Sequence, residues 1–444
     1  MMYLPRSVAG CMDALEKAGY AAFAVGGCVR DSLLGISPHD YDLCTNAMPE
    51  DTCRVFAGHT LVRSGEKHGT IGVVTDDGVV EITTFRTEGD YRDSRHPGWV
   101  RFVPTIEEDL ARRDFTVNAM AYSKRTGLVD PWGGQEDLKN KILRTVGDPT
   151  KRFGEDALRI LRGVRFAARF GLQPEEATLQ AMFSMAPAME HLAKERIFEE
   201  LCQLLLKVTS DDLLRFGPVL AQAIPELGQC LGFQQHSPYH AYDVFTHISH
   251  VVENAPKKLP LRWAALLHDV GKPPCFTQDE TGRGHFLNHA KVGAQMAEEI
   301  LLRLKAPTAL REQVVFFISH HMTPIEPDKR LLLRRLSRYG TEQLLDLVDL
   351  QEADMSSKGT GITSSMDQFP LLRRMIGEIL AENACLHIKD LAINGSDLIA
   401  LGFTPGPELG NCLQELLNLV LDEAVANEKN ALLEKAREVL TFTH

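Results

Sequence analysis

Two carboxylates, Asp40 and Asp42, stand two residues apart in this chain of 444 residues. On an extended segment that spacing places both side chains on one face. Paired carboxylates suit Mg²⁺, a hard cation that prefers oxygen ligands, and sites of phosphoryl transfer use such a metal to hold nucleotide phosphates. An isolated Asp-x-Asp pair is more typical of a surface turn, so the interpretation depends on the residues around it.

Three neighbouring features fit a phosphate site around this pair. Gly26 and Gly27 follow a short apolar run, and at a strand-to-helix turn paired glycines let a phosphate approach backbone N–H groups. Arg30 lies one helical turn further on, and Glu81 lies in the run VVEITTF, where its neighbours point to the opposite face. Each feature also has a structural explanation, a turn for the glycines and a solvent-facing strand position for Glu81.

A polar stripe follows further along the chain. Asp156, Arg159, Arg162 and Arg165 are spaced by three residues, and on a helix each step of three turns the side chain by only about 60 degrees. An Asp accepts and an Arg donates hydrogen bonds in directional geometry, so the first two could read the Watson-Crick edge of a base while the others grip a triphosphate. The alternative is a ladder of salt bridges within one helix.

The elements that must position these residues change near residue 150. From residue 20 to about 145, short β-type runs alternate with turns, and TIGVV and VVEITTF flank a TDDG turn as in a hairpin. After residue 150, apolar residues recur almost throughout at helical spacing. The pattern predicts an α+β protein in which a small N-terminal mixed β-sheet precedes all-helical segments.

The order of a glycine turn, an arginine, an Asp-x-Asp pair and an acidic strand resembles the nucleotidyltransferase superfamily that includes DNA polymerase beta. With GGCVRDSLLG, HDYDLCTNA, RRDFTVNAMA and EDALRILRGVRFAARFGL in sequence, residues 1 to about 205 resemble the class II tRNA nucleotidyltransferases, the bacterial CCA-adding enzymes. The resemblance implies a nucleotidyltransferase head, an arginine-rich neck, and helical body and tail domains. It also implies tRNA as partner, CTP and ATP as substrates, and Mg²⁺ as cofactor.

The resemblance further assigns roles to residues of this sequence. Asp40 and Asp42 would bind Mg²⁺ and, with Glu81, would form the catalytic set. The nucleotide-binding residues would be Gly26, Gly27, Arg30, Arg113, Asp156, Arg159, Arg162 and Arg165, with Asp156 and Arg159 acting as a protein template that selects CTP and then ATP.

The product is not fixed by these motifs. The segment at residues 89–97 resembles the flexible loop that full CCA-adding enzymes use when they switch from C to A addition, which argues against an enzyme that adds only C. An A-adding tRNA nucleotidyltransferase and a bacterial poly(A) polymerase remain alternatives.

A second group of histidines and aspartates resembles the HD-domain metal-dependent phosphohydrolases. By that resemblance His247, His268, Asp269 and Asp354 would hold one divalent ion, and His289 and His320, with His321 as a further candidate, would complete a second site. Imidazole and carboxylate ligands suit Mn, Fe, Co or Ni better than Mg. The implied activity is phosphatase or 2′,3′-cyclic phosphodiesterase chemistry, and a structural or vestigial site is the alternative.

This second group defines a competing function of another class, an HD-type metallophosphohydrolase whose head only binds. A complete set of head residues argues against that reading, and against a non-enzymatic RNA-binding protein. A strongly basic RNA binder is also excluded, because 60 acidic against 48 basic residues leave a net charge of −12. Any RNA contact must come from local clusters, such as the arginines of residues 152–169 and the cations of residues 329–338.

The remaining composition indicates where such a protein works. Nine cysteines without a Cys-x-x-Cys pair indicate a reducing cytoplasm, and no apolar run is long enough to predict a membrane span. We predict no stable protein partner. The predicted domains are a catalytic head (1–146), a nucleotide-selecting neck (147–232), an HD domain (233–356) and a tRNA-binding tail (357–444).

Overall fold

The computed structural model describes residues 2–91, 97–237, 240–359 and 366–442. Contacts within the chain define two compact units. The N-terminal unit contains Met1–Leu231 and Ile300–Pro307, and the C-terminal unit contains Gly232–Glu299 and Thr308–His444. The finer division into head, neck, HD domain and tail stays a prediction.

The first part of the N-terminal unit contains a β-sheet and short helices. In chain order its elements are α1 (Arg6–Lys17), β1 (Ala22–Val25), α2 (Gly27–Leu33), β2 (Asp42–Thr45), α3 (Pro49–Val55), β3 (Leu61–Val62), β4 (Thr70–Thr75), β5 (Gly78–Thr84), β6 (Arg86–Tyr91), β7 (Pro97–Phe102), α4 (Ile106–Ala111), β8 (Ala121–Ser123), β9 (Gly127–Val129), α5 (Gly134–Lys139) and β10 (Ile142–Leu143).

Seven of these strands form one mixed sheet in the order β3-β4-β5-β2-β1-β8-β9. Strands β2 and β5 run parallel, and the other neighbours run antiparallel. Because Leu43 pairs with Ile82, Asp42 at the start of β2 lies beside Glu81 of β5. The predicted hairpin is confirmed, since β4 and β5 pair from Thr70 to Thr75 around the TDDG turn. The α+β class with a small mixed sheet is therefore confirmed.

Helices continue the N-terminal unit after the sheet. They are α6 (Pro149–Glu155), α7 (Leu158–Phe170), α8 (Glu176–Met185), α9 (Lys194–Leu205), α10 (Ser210–Ala223) and α11 (Pro225–Cys230), with the short strand β11 (Gln173–Pro174) paired to β10. Phe115 from the sheet region packs edge-on against Phe166 of α7, with ring centroids 5.8 Å apart. This aromatic contact fixes α7 against the sheet, where its arginines can face the same cavity as β2 and β5.

Later elements are again almost entirely helical. They are α12 (Val244–Asn254), α13 (Leu259–Leu267), β12 (Thr277–Gln278), β13 (Gly284–His285), α14 (His289–Arg303), α15 (Thr308–His320), α16 (Lys329–Tyr339), α17 (Thr341–Ser356), α18 (Gln368–Ala381), α19 (Gly395–Ala400), α20 (Pro407–Leu421) and α21 (Lys429–Phe442). The short antiparallel pair β12–β13 interrupts a region that the periodicity predicts as helical. Within the described ranges, no helix is both long and apolar enough to span a bilayer.

Candidate nucleotide pocket and candidate metal centre

A cavity of about 600 Å³ lies in the N-terminal unit, between the sheet and helices α2, α7 and α9. Its walls carry nine arginines and four acidic residues, so it favours a polyanionic ligand. It brings together ten of the residues predicted for nucleotide chemistry: Gly26, Gly27, Arg30, Asp42, Glu81, Arg113, Asp156, Arg159, Arg162 and Arg165.

The carboxylates gather at the sheet side of this cavity. Asp42 and Glu81 line it from adjacent parallel strands, whereas Asp40 is exposed in the segment before β2 and is not part of the lining. Partial desolvation raises the pKa of Asp42, and the negative charges of Glu81 and Asp40 raise it further while Arg113 opposes them. Three carboxylates this close repel one another, so their oxygens form a donor set that suits a hard divalent cation.

Gly26 occupies a position that only glycine fits. Its φ is +70°, and an added Cβ would lie 2.6 Å from Nη1 of Arg113. The strand β1 therefore ends in a turn that brings the guanidinium of Arg113 directly against the backbone. Gly27 is the first residue of α2, which confirms the predicted strand-to-helix turn.

Arg30 is buried and already well bound. Its Nε and Nη2 donate to Asp31 Oδ1 at 2.8 and 2.6 Å, and its Nη1 donates to Asn118 Oδ1 at 2.5 Å. Its guanidinium lies 4.4 Å from the ring centroid of Phe170. Burial lowers the pKa of Arg30, and Asp31 opposes that effect. Arg30 thus lines the cavity as part of a fixed network that joins α2 to α7.

Arg113 is held by Asp109, a residue of α4 that is completely buried. Asp109 accepts from Arg113 Nη2 at 3.3 Å and from Arg112 Nε at 3.0 Å. Burial acts to raise the pKa of Asp109, but the two arginines outweigh it and the pKa is lowered. Asp109 therefore stays ionised and keeps Arg113 at the cavity wall.

Asp114 has the same relation to Arg162. Its Oδ2 accepts from Arg162 Nε at 2.8 Å, and its Oδ1 accepts from the Asn118 side chain at 3.0 Å. Although burial opposes ionisation, Arg162 holds the pKa of Asp114 well below its usual range. Arg165 pairs with Glu200 of α9 at 2.6 Å. The alternative of a salt-bridge ladder within one helix is wrong for these two arginines, because their partners come from other elements.

Asp156 does not lie on the helix that carries the arginines. It lies between α6 and α7 with extended backbone angles of φ −148° and ψ 104°, and its Oδ1 accepts from the N–H of Leu158 at 3.0 Å. The prediction of one continuous helical stripe is therefore wrong for Asp156, its first residue. Its Oδ2 accepts from Arg196 Nη2 at 2.8 Å, and this pair is the contact that the sequence did not reveal.

The guanidinium of Arg159, on the first turn of α7, donates hydrogen bonds to other residues of the protein. Its Nη1 donates to Glu155 at 2.6 Å and to the carbonyl oxygen of Arg152 at 3.1 Å, and its Nη2 donates to that of Arg112 at 3.2 Å. These contacts use three of the five N–H donors of the guanidinium, and Arg159 also lines the cavity.

The C-terminal unit contains a separate group of buried histidines and aspartates. Their ligand atoms form two sets, each within 4.8 Å: His247, His268 and Asp354 in one, and Asp269, His289 and His321 in the other. Asp269 lies between them, with Oδ2 3.2 Å from His268 Nε2 and Oδ1 3.6 Å from His289 Nε2. The arrangement offers two ion positions that share one bridging carboxylate.

The four histidines are oriented alike. The Nδ1 atoms of His247, His268, His289 and His321 face the carbonyl oxygens of Ser357, Ala265, Phe286 and Ile318 at 2.6 to 3.2 Å. A carbonyl oxygen can only accept, so each Nδ1 carries a proton, and in the neutral form of each ring Nε2 directs its lone pair towards the cluster. Among the described residues, Nε2 of His289 and of His321 is buried without a hydrogen-bond partner. Metal ligation would satisfy both.

The structure does not place His320, which was predicted as a ligand, in either set of candidate ligand atoms. Its ring stacks on Phe316 with centroids 4.4 Å apart, and its Nδ1 faces the carbonyl oxygen of that residue at 2.8 Å. The adjacent His321 takes the position in the cluster instead. Burial lowers the pKa of His321 to about 4, which keeps the imidazole in the neutral form that binds metals.

Several residues at the two sites were missed from the sequence. They are Asp109, Asp114, Arg196, Glu200 and Lys272. Asp114 stands inside the quoted motif RRDFTVNAMA, and Lys272 follows the His-Asp pair by three residues, with Nζ 2.7 Å from Asp269 Oδ2. Arg196 and Glu200 carry no local signal, since their partners lie 40 and 35 residues away, respectively.

Two sequence features remain outside this geometry. The segment at 89–97 includes residues 92–96, which lie outside the described residues. In the basic stretch at 329–338, Lys329 pairs with Glu382 at 2.8 Å and Arg334 pairs with Asp422 at 2.5 Å. These exposed pairs fit a solvated helix face as well as they fit an RNA contact.

Comparison with known proteins gives consistent results along the whole chain. Residues 22–144 match a family model described as the poly A polymerase head domain, residues 171–216 one described as a probable RNA and SrmB binding site of polymerase A, and residues 276–436 one described as a putative tRNA nucleotidyltransferase domain 2. The head match covers the sheet and most of the residues of the nucleotide pocket.

Full-length relatives agree with these matches. The CCA-adding enzyme of Streptococcus mutans is 32% identical over 443 residues, covering 99% of both chains, and that of Geobacillus stearothermophilus is 34% identical, covering 95% of this chain and 94% of the relative. The crystal structure of the Bacillus stearothermophilus CCA-adding enzyme in complex with CTP superposes with a TM-score of 0.71 at 27% identity, covering 98% of this chain and 97% of the other.

The mixed sheet, the carboxylates on adjacent strands and the arginine-lined pocket define a nucleotidyltransferase with a head of the poly(A) polymerase type. Identity at this level over the full length is decisive for the family. The chain belongs to the CCA-adding enzymes, which are class II tRNA nucleotidyltransferases. Membership implies a divalent metal cofactor, generally Mg²⁺.

Proposed function

We propose that this protein adds CCA to the 3′ end of tRNA, by template-independent nucleotidyl transfer from CTP and then ATP. The observation that carries the proposal is the single cavity in which Asp42 and Glu81 face a wall of arginines and Asp156. The relatives named as CCA-adding enzymes over their full length support the same product.

The carboxylates would hold the metal. Asp42, Glu81 and the nearby Asp40 supply the oxygen donors that Mg²⁺ prefers. Bound there, Mg²⁺ would neutralise charge that develops during attack of a 3′-hydroxyl on an α-phosphate. Exposed Asp40 would complete the donor set from the segment that precedes β2.

The arginines would bind and orient the triphosphate. Arg113 and Arg162 are held by the buried carboxylates Asp109 and Asp114, so their guanidinium groups face the cavity without further ordering. Fixed donors lose little conformational entropy when the nucleotide binds. Gly26 contributes by leaving room for Arg113, and Gly27 and Arg30 would complete the phosphate contacts at the start of α2.

Asp156 and Arg159 would select the base. Cytosine and adenine both present an amino group beside a ring nitrogen that accepts, whereas uracil and guanine present a carbonyl oxygen in place of the amino group. A carboxylate that accepts from the amino group and a guanidinium that donates to the ring nitrogen match the first pair only. Arg165, held by Glu200, would extend the same nucleotide-contacting surface.

The test uses three tRNA transcripts, ending before CCA, after C and after CC. The purified chain, Mg²⁺ and CTP, ATP or both are supplied, and product lengths are measured. Addition of two C residues and then one A supports the proposal, and a variant with Asp40→Ala and Asp42→Ala should add nothing. Growth of the CC-ended transcript alone by one A would instead identify an A-adding enzyme, and long A tails a poly(A) polymerase.

A second activity is favoured by the buried cluster of the C-terminal unit. We propose that it binds one or two transition-metal ions, of Mn, Fe, Co or Ni, and hydrolyses phosphate esters. The support is the uniform orientation of four imidazoles and the two Nε2 atoms without partners. Bound metal would supply a hydroxide nucleophile for attack on phosphorus. Lys272, buried beside Asp269, adds a positive charge that suits a phosphate group.

This second activity can be separated from nucleotide addition. In a His268→Ala, Asp269→Ala variant, hydrolysis of a phosphomonoester and of a 2′,3′-cyclic nucleotide should be lost while CCA addition persists. Hydrolysis at the wild-type rate would contradict the proposal. The tRNA-binding tail and the reducing, cytoplasmic setting indicated by the cysteine pattern stay predictions.

A further inference from the structure

Helix α9 carries two oppositely charged residues that bind residues of the nucleotide pocket. Arg196 binds Asp156, and Glu200, one helical turn later, binds Arg165. Each is largely buried, with 19% of the Arg196 side chain and 11% of the Glu200 side chain exposed. One face of α9 therefore supports both the residue that would read the base and one of the nearby arginines.

The contacts of Asp156 within the protein use most of the hydrogen-bond acceptor sites of its carboxylate. An ionised carboxylate offers about four acceptor sites. Oδ1 uses two, accepting from the N–H of Leu158 at 3.0 Å and from Arg196 Nη1 at 3.4 Å. Oδ2 uses one, accepting from Arg196 Nη2 at 2.8 Å. One acceptor site remains, on Oδ2, and Asp156 lines the cavity.

A single acceptor of fixed direction suits one amino hydrogen of a base. Leu158 restrains only Oδ1, so without Arg196 the carboxylate could turn and meet a base in several ways. With Arg196 in place on both oxygens, the bidentate contact fixes the plane of the carboxylate. A uracil or guanine carbonyl would then face a fixed negative oxygen, which is repulsive and cannot be relieved by rotation.

We propose that Arg196 is a positioning residue that determines nucleotide specificity, because it holds the Asp156 carboxylate with one acceptor site directed at the base. The inference rests on the proposed function of the pocket. Arg196 binds Asp156 through both carboxylate oxygens. It should therefore act, through Asp156, on the choice between bases more than on the transfer step itself.

The test measures discrimination rather than activity. Single-turnover addition of C from CTP and of U from UTP to a transcript that ends before CCA gives a CTP-to-UTP ratio of kcat/KM for each enzyme. That ratio does not depend on how much of a preparation is folded. Arg196→Ala should lower it by about 10-fold, the size expected when one charged hydrogen-bonding restraint is lost. Arg196→Lys, which keeps the charge but not the bidentate fork, should recover part of it.

Two variants of the same helix serve as comparators. Glu200→Gln loosens Arg165 and should weaken CTP and UTP alike, leaving the ratio at the wild-type value. Lys194 donates to the carbonyl oxygen of Glu190 at 3.0 Å. Lys194→Ala should change neither kcat/KM for CTP nor the CTP-to-UTP ratio. A ratio that falls equally in the Arg196 and Glu200 variants would indicate general loosening of α9 and would overturn the proposal, as would an unchanged ratio in Arg196→Ala.

Failure of this inference is distinguishable from failure of the proposed function. If wild-type protein adds no nucleotide to any transcript, the proposed function is wrong. If wild type adds CCA, Asp156→Ala loses discrimination and Arg196→Ala retains it, only the positioning role of Arg196 is wrong.

Discussion

Substitution of Gly26 by alanine tests how the end of β1 positions the phosphate-binding arginine. The added Cβ would lie 2.6 Å from Arg113 Nη1, where ordinary contacts begin at 3.4 Å, so the guanidinium must retreat by about 0.8 Å or more. Its bond to Asp109 Oδ2 is already 3.3 Å long and would be weakened or lost. A positive φ of +70° adds about 1–3 kcal/mol of backbone strain.

The effect on nucleotide addition follows from the displaced arginine. Loss of one hydrogen bond between charged groups costs about 1.5–3 kcal/mol, which corresponds to roughly 10-fold to 100-fold in kcat/KM for CTP. The assay is steady-state C addition to a transcript that ends before CCA. Thermal unfolding of the same preparations measures the strain separately.

Gly35→Ala is the matched control. Gly35 has a φ of +71°, and nothing lies within 4 Å of its added Cβ. It should therefore lose stability while keeping the wild-type kcat/KM. Equal kcat/KM in the two glycine variants would refute the claim that Gly26 acts by leaving room for Arg113.

Three further predictions concern other parts of the molecule. His321→Ala should bind less manganese per chain than the wild type, whereas His320→Ala should bind as much as the wild type; metal analysis after dialysis that gives the reverse would contradict the ligand assignment. Asp114→Asn removes the charge that holds Arg162 and should cost about 3 kcal/mol in urea unfolding while raising the KM for CTP; an unchanged KM would separate that arginine from nucleotide binding. Burial raises the pKa of the Cys44 thiol from 9.0 to about 12. The contribution of this thiol to the free energy of unfolding is therefore complete below pH 9 and falls by about 1.4 kcal/mol per pH unit above pH 9. A Cys44→Ala variant should lose stability less steeply at alkaline pH than the wild type, and an identical loss would contradict this prediction.

Features of the head could be predicted where they depend on residues that are close together in the sequence. The glycine turn, the Asp-x-Asp pair and the TDDG hairpin each depend on residues a few positions apart, and local backbone geometry fixes what such spacings mean. Glu81 required one more step, since its approach to Asp42 depends on which strand pairs with β2. Parallel pairing of β2 with β5 supplied that contact.

The predictions differed from the structure where a shift of one residue along the chain, or a break in a helix, changes the direction in which a side chain points. His320 and His321 are adjacent, and near the end of a helix their side chains diverge by about 100 degrees. Only the packing of α15 determines which imidazole enters the cluster, and it selects His321. Asp156 was placed on a helix by its three-residue spacing, but the chain breaks there and leaves it between α6 and α7.

The sequence by itself determined the α+β class, because that class depends on the periodicity of apolar residues. It also indicated the family and most residues of the nucleotide pocket, because its short motifs resemble those of the class II tRNA nucleotidyltransferases. The tertiary structure decided which partners hold those residues. Asp114, Glu200 and Arg196 support the base-reading and phosphate-binding side chains from other elements, whereas Asp109 holds Arg113 from only four residues away. A buried charge is costly unless it is paired, so each charged side chain in the cavity wall needs a partner that the fold brings close. No local sequence pattern encodes a pairing between residues 40 positions apart.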